Sequence, residues 1–352
     1  MIVGGDFGEN QKPSSVIEKL GDRLNSIKLN GGSISDIKEI STNLDEYDLI
    51  IWAPNISNEV EKVYPKKTTG SVLICSKVLR ENIGFGDAIA RIFKMNANAV
   101  IAINNDCKPF KFTLIDALGN VWCDTNNIDT LAISINNLYS WTKDSIRLKS
   151  TNSIFGENEL IKIDLSSLCE TVKLIADKVE NERGGRYFGN VSTRCGKLFP
   201  SMRLEHDIVL ISGRNVSKER ITPDDFVYTK LVNGNVLFHG ERKPSVDTPI
   251  QLKLYEHFKK INFLIHGHAY IKDALTTENY FPCGDLREFE EIRLTLSKYT
   301  NNIVLNLKNH GFLIGSSDLD QLKILVSNLE FNYRKIGVEQ IKEIYIDYEK
   351  TH

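Results

Sequence analysis

Short runs of Val, Ile and Leu recur through the first third of the chain, at residues 1–4, 48–53 (DLIIWA), 71–75 (SVLIC) and 99–103 (AVIAI). Runs this short and this rich in β-branched residues suit buried strands rather than helices. Helical patterns stand between them, at residues 14–20 and 86–95 (GDAIARIFKM). Strand–helix alternation predicts a mainly parallel sheet with helices on both faces, a Rossmann-like α/β domain. Residues 110–124 read as a hairpin turning at Gly119–Asn120.

The chain has 352 residues, more than one hydrophobic core usually supports, so two domains are expected. Residues 141–156 (WTKDSIRLKSTNSIFG) are polar and carry Ser, Thr, Asn and Gly, and the boundary is placed there. The first domain then spans 1–148 and the second 155–352. In the second, Leu165, Leu168, Val172, Ile175 and Val179 recur at helical spacing behind Asp164 as N-cap.

Apolar residues make up 41% and charged residues 26%, as in an ordinary globular protein, and the net charge is −2. That balance speaks against a nucleic-acid binder, which would show a basic face. No apolar stretch is long enough to cross a membrane. The six cysteines are scattered without a CxxC pair, which fits reduced thiols and a cytoplasmic location. The N-terminus lacks the apolar core of a signal peptide.

The strongest chemical signal is Ile265-His266-Gly267-His268-Ala269 after the apolar run 261–265. Residues i and i+2 of a strand share a face, which sets the two imidazoles about 7 Å apart, within reach of one metal ion. His310, in Lys308-Asn309-His310-Gly311 after a second apolar run, supplies a third nitrogen donor. Three neutral nitrogens leave a coordination position open, the pattern of a catalytic rather than a structural site. Near the N-terminus, Gly4-Gly5-Asp6-Phe7-Gly8 follows a short strand. It matches neither GxGxxG nor the P-loop, so it reads as a tight turn or, alternatively, as a phosphate cradle.

Five segments stand in an order and spacing that resemble the class II aldolase/adducin superfamily. They are residues 189–194 (GNVSTR), 211–213 (ISG), 221–227 (ITPDDFV), 243–249 (KPSVDTP), and the His266/His268 pair followed by Asn309-His310-Gly311. The resemblance covers roughly 155–330 and implies a class II aldolase-like α/β/α domain. It further implies that His266, His268 and His310 bind Zn²⁺ or another divalent ion, which stabilises an enediolate as a Lewis acid. Asp247 takes the place of the family's acidic residue and is expected to act as acid/base, with or without also capping the helix after it. PSVDTP leans towards the epimerase wording of that motif. Asn190, Ser192, Ser212, Gly213 and Ser245 take the places of a phosphate cradle, with Arg194 and Arg214 as charged helpers. Val246 departs from the family's second serine and removes one donor. Tyr280 and Glu278 are the candidates for a further acid/base group.

The implied activity is that of a metal-dependent lyase or epimerase on a small anionic or phosphorylated ketose. The alternatives are a sugar-phosphate dehydratase and a non-catalytic, adducin-like binding module. The implied assembly is a homo-oligomer, a tetramer.

Overall fold

The computed structural model describes residues 2–7, 15–30, 34–42, 44, 47–56, 65, 70–79, 83–104, 109–143, 150–152, 164–179, 186–195, 208–297 and 300–332. Two compact units divide between Arg147 and Leu148. The second-domain expectation ran to residue 352, and its last twenty or so residues lie outside the described ones.

The first unit is built on seven strands: β1 (Ile2–Phe7), β2 (Lys28–Asn30), β3 (Leu49–Ile56), β4 (Val72–Leu79), β5 (Ala99–Asn104), β6 (Lys111–Asp116) and β7 (Val121–Thr125). Their order is β2-β1-β3-β4-β5-β6-β7. The first five run parallel, and β6 and β7 add an antiparallel hairpin. A dinucleotide-binding Rossmann sheet has the order 3-2-1-4-5-6 instead. What the two share is the parallel α/β class.

One face carries Ile51, Ile74, Ile101 and Leu114, which pack on Ile17 and Leu20 of helix Ser15–Arg23 and on Leu131, Ile135 and Leu138 of helix Ile128–Thr142. The glycine-rich segment is not a strand-to-helix turn at its start: Gly4 and Gly5 lie inside β1. A Cβ on Gly4 would come within 2.6 Å of Ile17 Cγ1, so this glycine is explained by close helix–strand packing. Residues 8–14, where the cradle was expected to close, lie outside the described ones. The hairpin turn holds Gly119 at φ 87°, and the buried Asp116 carboxylate accepts from the backbone N–H groups of Leu118 and Asn120.

The second unit is a nine-stranded sheet in the order β15-β16-β17-β13-β9-β10-β11-β12-β8. Its strands are β8 (Ser150–Asn152), β9 (Asn190–Arg194), β10 (Val209–Ser212), β11 (Phe226–Val232), β12 (Asn235–His239), β13 (Phe263–Gly267), β15 (Leu275–Thr276), β16 (Asn302–Leu307) and β17 (Gly311–Ser316). The short β14 (Tyr270–Ile271) pairs separately with β18 (Phe331–Asn332). The central pairings are antiparallel, and the two outermost, β12–β8 and β15–β16, are parallel.

Alternation along the strands separates two cores. Val191, Ile265, Phe312 and Ile314 face helices Ser166–Lys173, Ala176–Val179 and Leu319–Asn328. Leu264, Leu313, Ile303 and Leu305 face helices Thr248–His257 and Leu286–Thr295. The result is helix on sheet on helix. The single helix expected over 165–179 is two, parted at Leu174–Ile175; the N-cap is Leu165 rather than the expected Asp164, whose carboxylate accepts the backbone N–H of Ser166 from one residue earlier.

Candidate metal centre

Three backbone segments meet at one end of the central strands. Residues 308–310 form the tight loop between β16 and β17, with Asn309 left-handed at φ 52° and His310 N–H donating to the Leu307 carbonyl. Beside that loop, a Cβ on Gly311 would lie 2.0 Å from the Gly267 carbonyl oxygen. Gly189 sits at φ 70°, and a Cβ there would lie 2.6 Å from the His266 carbonyl oxygen. Only glycine permits these approaches, so the Gly residues of the GN, HGH and NHG segments have a packing reason to be there.

The approach gathers the imidazoles. Ring centroids are 5.1 Å apart for His266 and His268, 4.8 Å for His266 and His310, and 5.4 Å for His268 and His310. One ring nitrogen from each lies within 4.8 Å of the others. β13 ends at Gly267, so His268 stands one residue beyond the strand rather than on it, its ring 5.4 Å from that of Phe188.

The ring tautomers follow from the partners. His266 Nδ1–H donates to the Phe312 carbonyl oxygen at 2.8 Å, which leaves the Nε2 lone pair pointing inward. That Nε2 is buried and has no hydrogen-bond partner among the described residues. Burial, reinforced by the neighbouring His310, lowers the His266 pKa to about 4, so the ring is neutral at ordinary pH. His310 Nδ1 is 2.6 Å from Glu288 Oε1. Burial opposes a proton on His310, but the Glu288 carboxylate and Cys283 outweigh it and hold the pKa well above its ordinary value.

Asp247 is 7% exposed, and its Oδ2 lies 3.6 Å from His266 Nε2. It occupies the N-cap position of helix Thr248–His257, yet its side chain does not cap that helix. The carboxylate instead accepts from Gly284 N–H at 2.8 Å (Oδ1) and from Asn190 Nδ2 at 3.3 Å (Oδ2).

The residues expected to cradle an anion divide. Asn190 and Ser245 are joined at 3.0 Å next to Asp247. Ser192 is instead buried between Gln251 and the Tyr255 hydroxyl, where it seats the helix on the sheet. Arg194 lies at the far end of that helix, on the Tyr255, Phe258 and Ile261 carbonyls and over the Tyr255 ring. Both lie away from the histidines for a local reason: alternate residues of β9 share one face and line the helix along its length, and only the first reaches its N-terminus. Ser212 Oγ accepts the Val191 N–H, and Gly213 is bridged to Pro244. Val246 is 43% exposed.

Glu278 is exposed and stands outside the carboxylate, thiol and imidazole donors gathered at the histidines, and Tyr280 is half-buried. From the same segment Cys283 joins those donors, with Sγ 3.3 Å from His310 Nε2. Sequence reasoning passed over Cys283 and Glu288. The signal that could have found Glu288 is Asp285, which caps helix Leu286–Thr295 and sets Glu288 on its first turn.

Residues 167–335 match the family described as the Class II Aldolase and Adducin N-terminal domain. The second unit is a class II aldolase-like domain. A protein named L-fuculose phosphate aldolase, from Methanococcus maripaludis, is 26% identical over 189 residues, which is 48% of this chain and 93% of the relative. Among solved structures, an L-fuculose 1-phosphate aldolase is 20% identical, covering 55% of this chain and 90% of its own, with TM-score 0.37. The N-terminal class II aldolase domain of a protein from Thermoplasma acidophilum is 16% identical, covering 50% and 96%, with TM-score 0.31.

A divalent cation fits this site by its donor chemistry. A buried imidazole nitrogen without a partner is costly unless something occupies its lone pair. Here that nitrogen faces two more imidazoles and a carboxylate within coordination range of one ion.

Proposed function

We propose that this chain is a metal-dependent aldehyde-lyase or epimerase acting on a small anionic or phosphorylated ketose. The single observation that carries the reading is the unpartnered, buried Nε2 of His266 facing His268 and His310. The name of the Methanococcus maripaludis relative, L-fuculose phosphate aldolase, supports the lyase side of that reading. His266, His268 and His310 would hold Zn²⁺ or a similar ion. Bound there, the ion supplies Lewis acidity for the negative charge that develops on a substrate oxygen.

The chain's own groups do the rest. Phe312 O and Glu288 fix the His266 and His310 rings so that each Nε2 points inward. Asp247 takes or returns a proton at Oδ2, while the Gly284 N–H holds Oδ1. Asn190 and Ser245 offer polar contacts beside it for the substrate's hydroxyl or anionic group. Glu278, exposed, and Tyr280, half-buried, would supply the further acid/base group across a subunit border if the chain assembles as the expected tetramer.

Turnover of a panel of ketose phosphates by the zinc-loaded protein tests this reading, with aldehyde release reporting the lyase and an epimeric ketose reporting the epimerase. Absence of both products across the panel, from protein shown to hold zinc, would defeat it.

A further inference from the structure

Segment 281–288 approaches His310 from two sides. Glu288 Oε1 is 2.6 Å from Nδ1, and Cys283 Sγ is 3.3 Å from Nε2, the nitrogen left for a metal. The segment's backbone is tied down between those contacts. Gly284 has φ 80°, its N–H donates to Asp247 Oδ1, and a Cβ there would lie 2.9 Å from the Val246 carbonyl oxygen. Asp285 then caps the helix that carries Glu288. Cys283 is therefore held beside the site by its neighbours.

Its sulfur belongs to a second cluster of possible ligands. Asp247, Cys283 and His310 each offer one donor atom, and the three lie within 4.8 Å of one another. This cluster shares His310 with the trio of histidines, and it adjoins the unpartnered His266 Nε2 through Asp247 Oδ2. Two ligands of one tetrahedral zinc, a nitrogen at about 2.0 Å and a sulfur at about 2.3 Å, stand about 3.5 Å apart. The sulfur–nitrogen distance of 3.3 Å is close to that spacing.

We propose that Cys283 is a ligand of the metal, so that the centre is three histidines and one thiolate. The inference rests on the metal reading above and deepens it. On binding, the thiol releases its proton to solvent as the metal–sulfur bond forms, with no change of oxidation state. A thiolate makes the site softer, favouring zinc, cadmium and cobalt over manganese and magnesium. It also occupies the fourth position in the resting protein, so a substrate oxygen would enter as a fifth ligand, and it leaves Asp247 outside the ligand set and able to move protons.

X-ray absorption on the zinc-loaded full chain reads the ligand shell directly. One sulfur at about 2.3 Å, beside nitrogen or oxygen at about 2.0 Å, is the expected result. Cys283→Ser should lose that sulfur shell, lose the sulfur-to-metal charge-transfer band of the cobalt-loaded protein, and bind zinc at least about ten-fold more weakly. Should the variant prove unstable, zinc protection of Cys283 from alkylation in the wild type, mapped by mass spectrometry, makes the assignment. A zinc-loaded wild type with only nitrogen and oxygen neighbours overturns the inference and leaves the metal reading standing. Sulfur that persists in Cys283→Ser overturns it too, and a chain that takes up no zinc brings down both.

Discussion

Glu288→Ala removes the acceptor that orients His310, and its effect can be sized from the structure. The carboxylate and the imidazole are 3% and 1% exposed and meet at 2.6 Å, a charge-assisted hydrogen bond out of reach of water. Loss of such an outer-shell partner typically weakens metal binding by about 10- to 100-fold, or about 1.4–2.8 kcal/mol. The variant also strands a buried N–H, which costs folding stability about 1–3 kcal/mol. Glu288→Gln keeps an oxygen acceptor without the charge, so its zinc affinity should fall between wild type and Glu288→Ala. Competition with a chromophoric chelator measures the affinities, and thermal unfolding of the metal-free proteins confirms the fold. A cooperatively folding Glu288→Ala protein with wild-type zinc affinity would refute the argument that His310 is a ligand held from behind.

Asp247→Asn keeps the contact from Gly284 but loses the basic oxygen, so it should retain metal and fold while losing at least about a hundred-fold in turnover, the size of a general acid/base contribution. Wild-type turnover would remove Asp247 from the chemistry. Val246→Ser should lower KM for phosphorylated ketoses by about ten-fold or more, the value of one hydrogen bond to a charged group; an unchanged KM would mean that no phosphate sits there. The metal-free protein should lose stability in acid because of His266, whose pKa is 6.5 when exposed and about 4 in the folded chain. Between those values the unfolded chain binds the extra proton, so stability falls as pH drops through that window, by up to about 3 kcal/mol from this residue. Denaturant titrations of wild type and His266→Gln at pH 7 and pH 4 should show the stability difference shifting against the wild type at the lower pH, and parallel behaviour would falsify the assignment.

The histidines were legible in the sequence because each follows an apolar run that a strand requires, and because HGH and NHG include the glycines their packing demands. Asp247 was legible from its motif, but its hydrogen bonds were not. A position before a helix implies a cap, whereas the carboxylate turns to Gly284, which lies 37 residues further along. Arg194 and Ser192 misled for a similar reason. Motif membership puts them beside Asn190 in sequence, while strand geometry carries each successive same-face residue farther along the helix and away from the site. Cys283 and Glu288 had no periodic signal at all. They reach His310 across 27 and 22 residues of chain, and only the folded backbone brings them there. In the first unit, alternation of strands and helices gave the α/β class. The order of the strands depends on which edges pair, and local pattern does not encode that.

The most direct test of the central claim is the metal content of the full chain purified without chelator, beside a variant in which His266, His268 and His310 are all alanine. The account expects close to one zinc or similar divalent ion per wild-type chain and essentially none in the variant. A wild type free of metal, and still so after incubation with excess zinc, would contradict it.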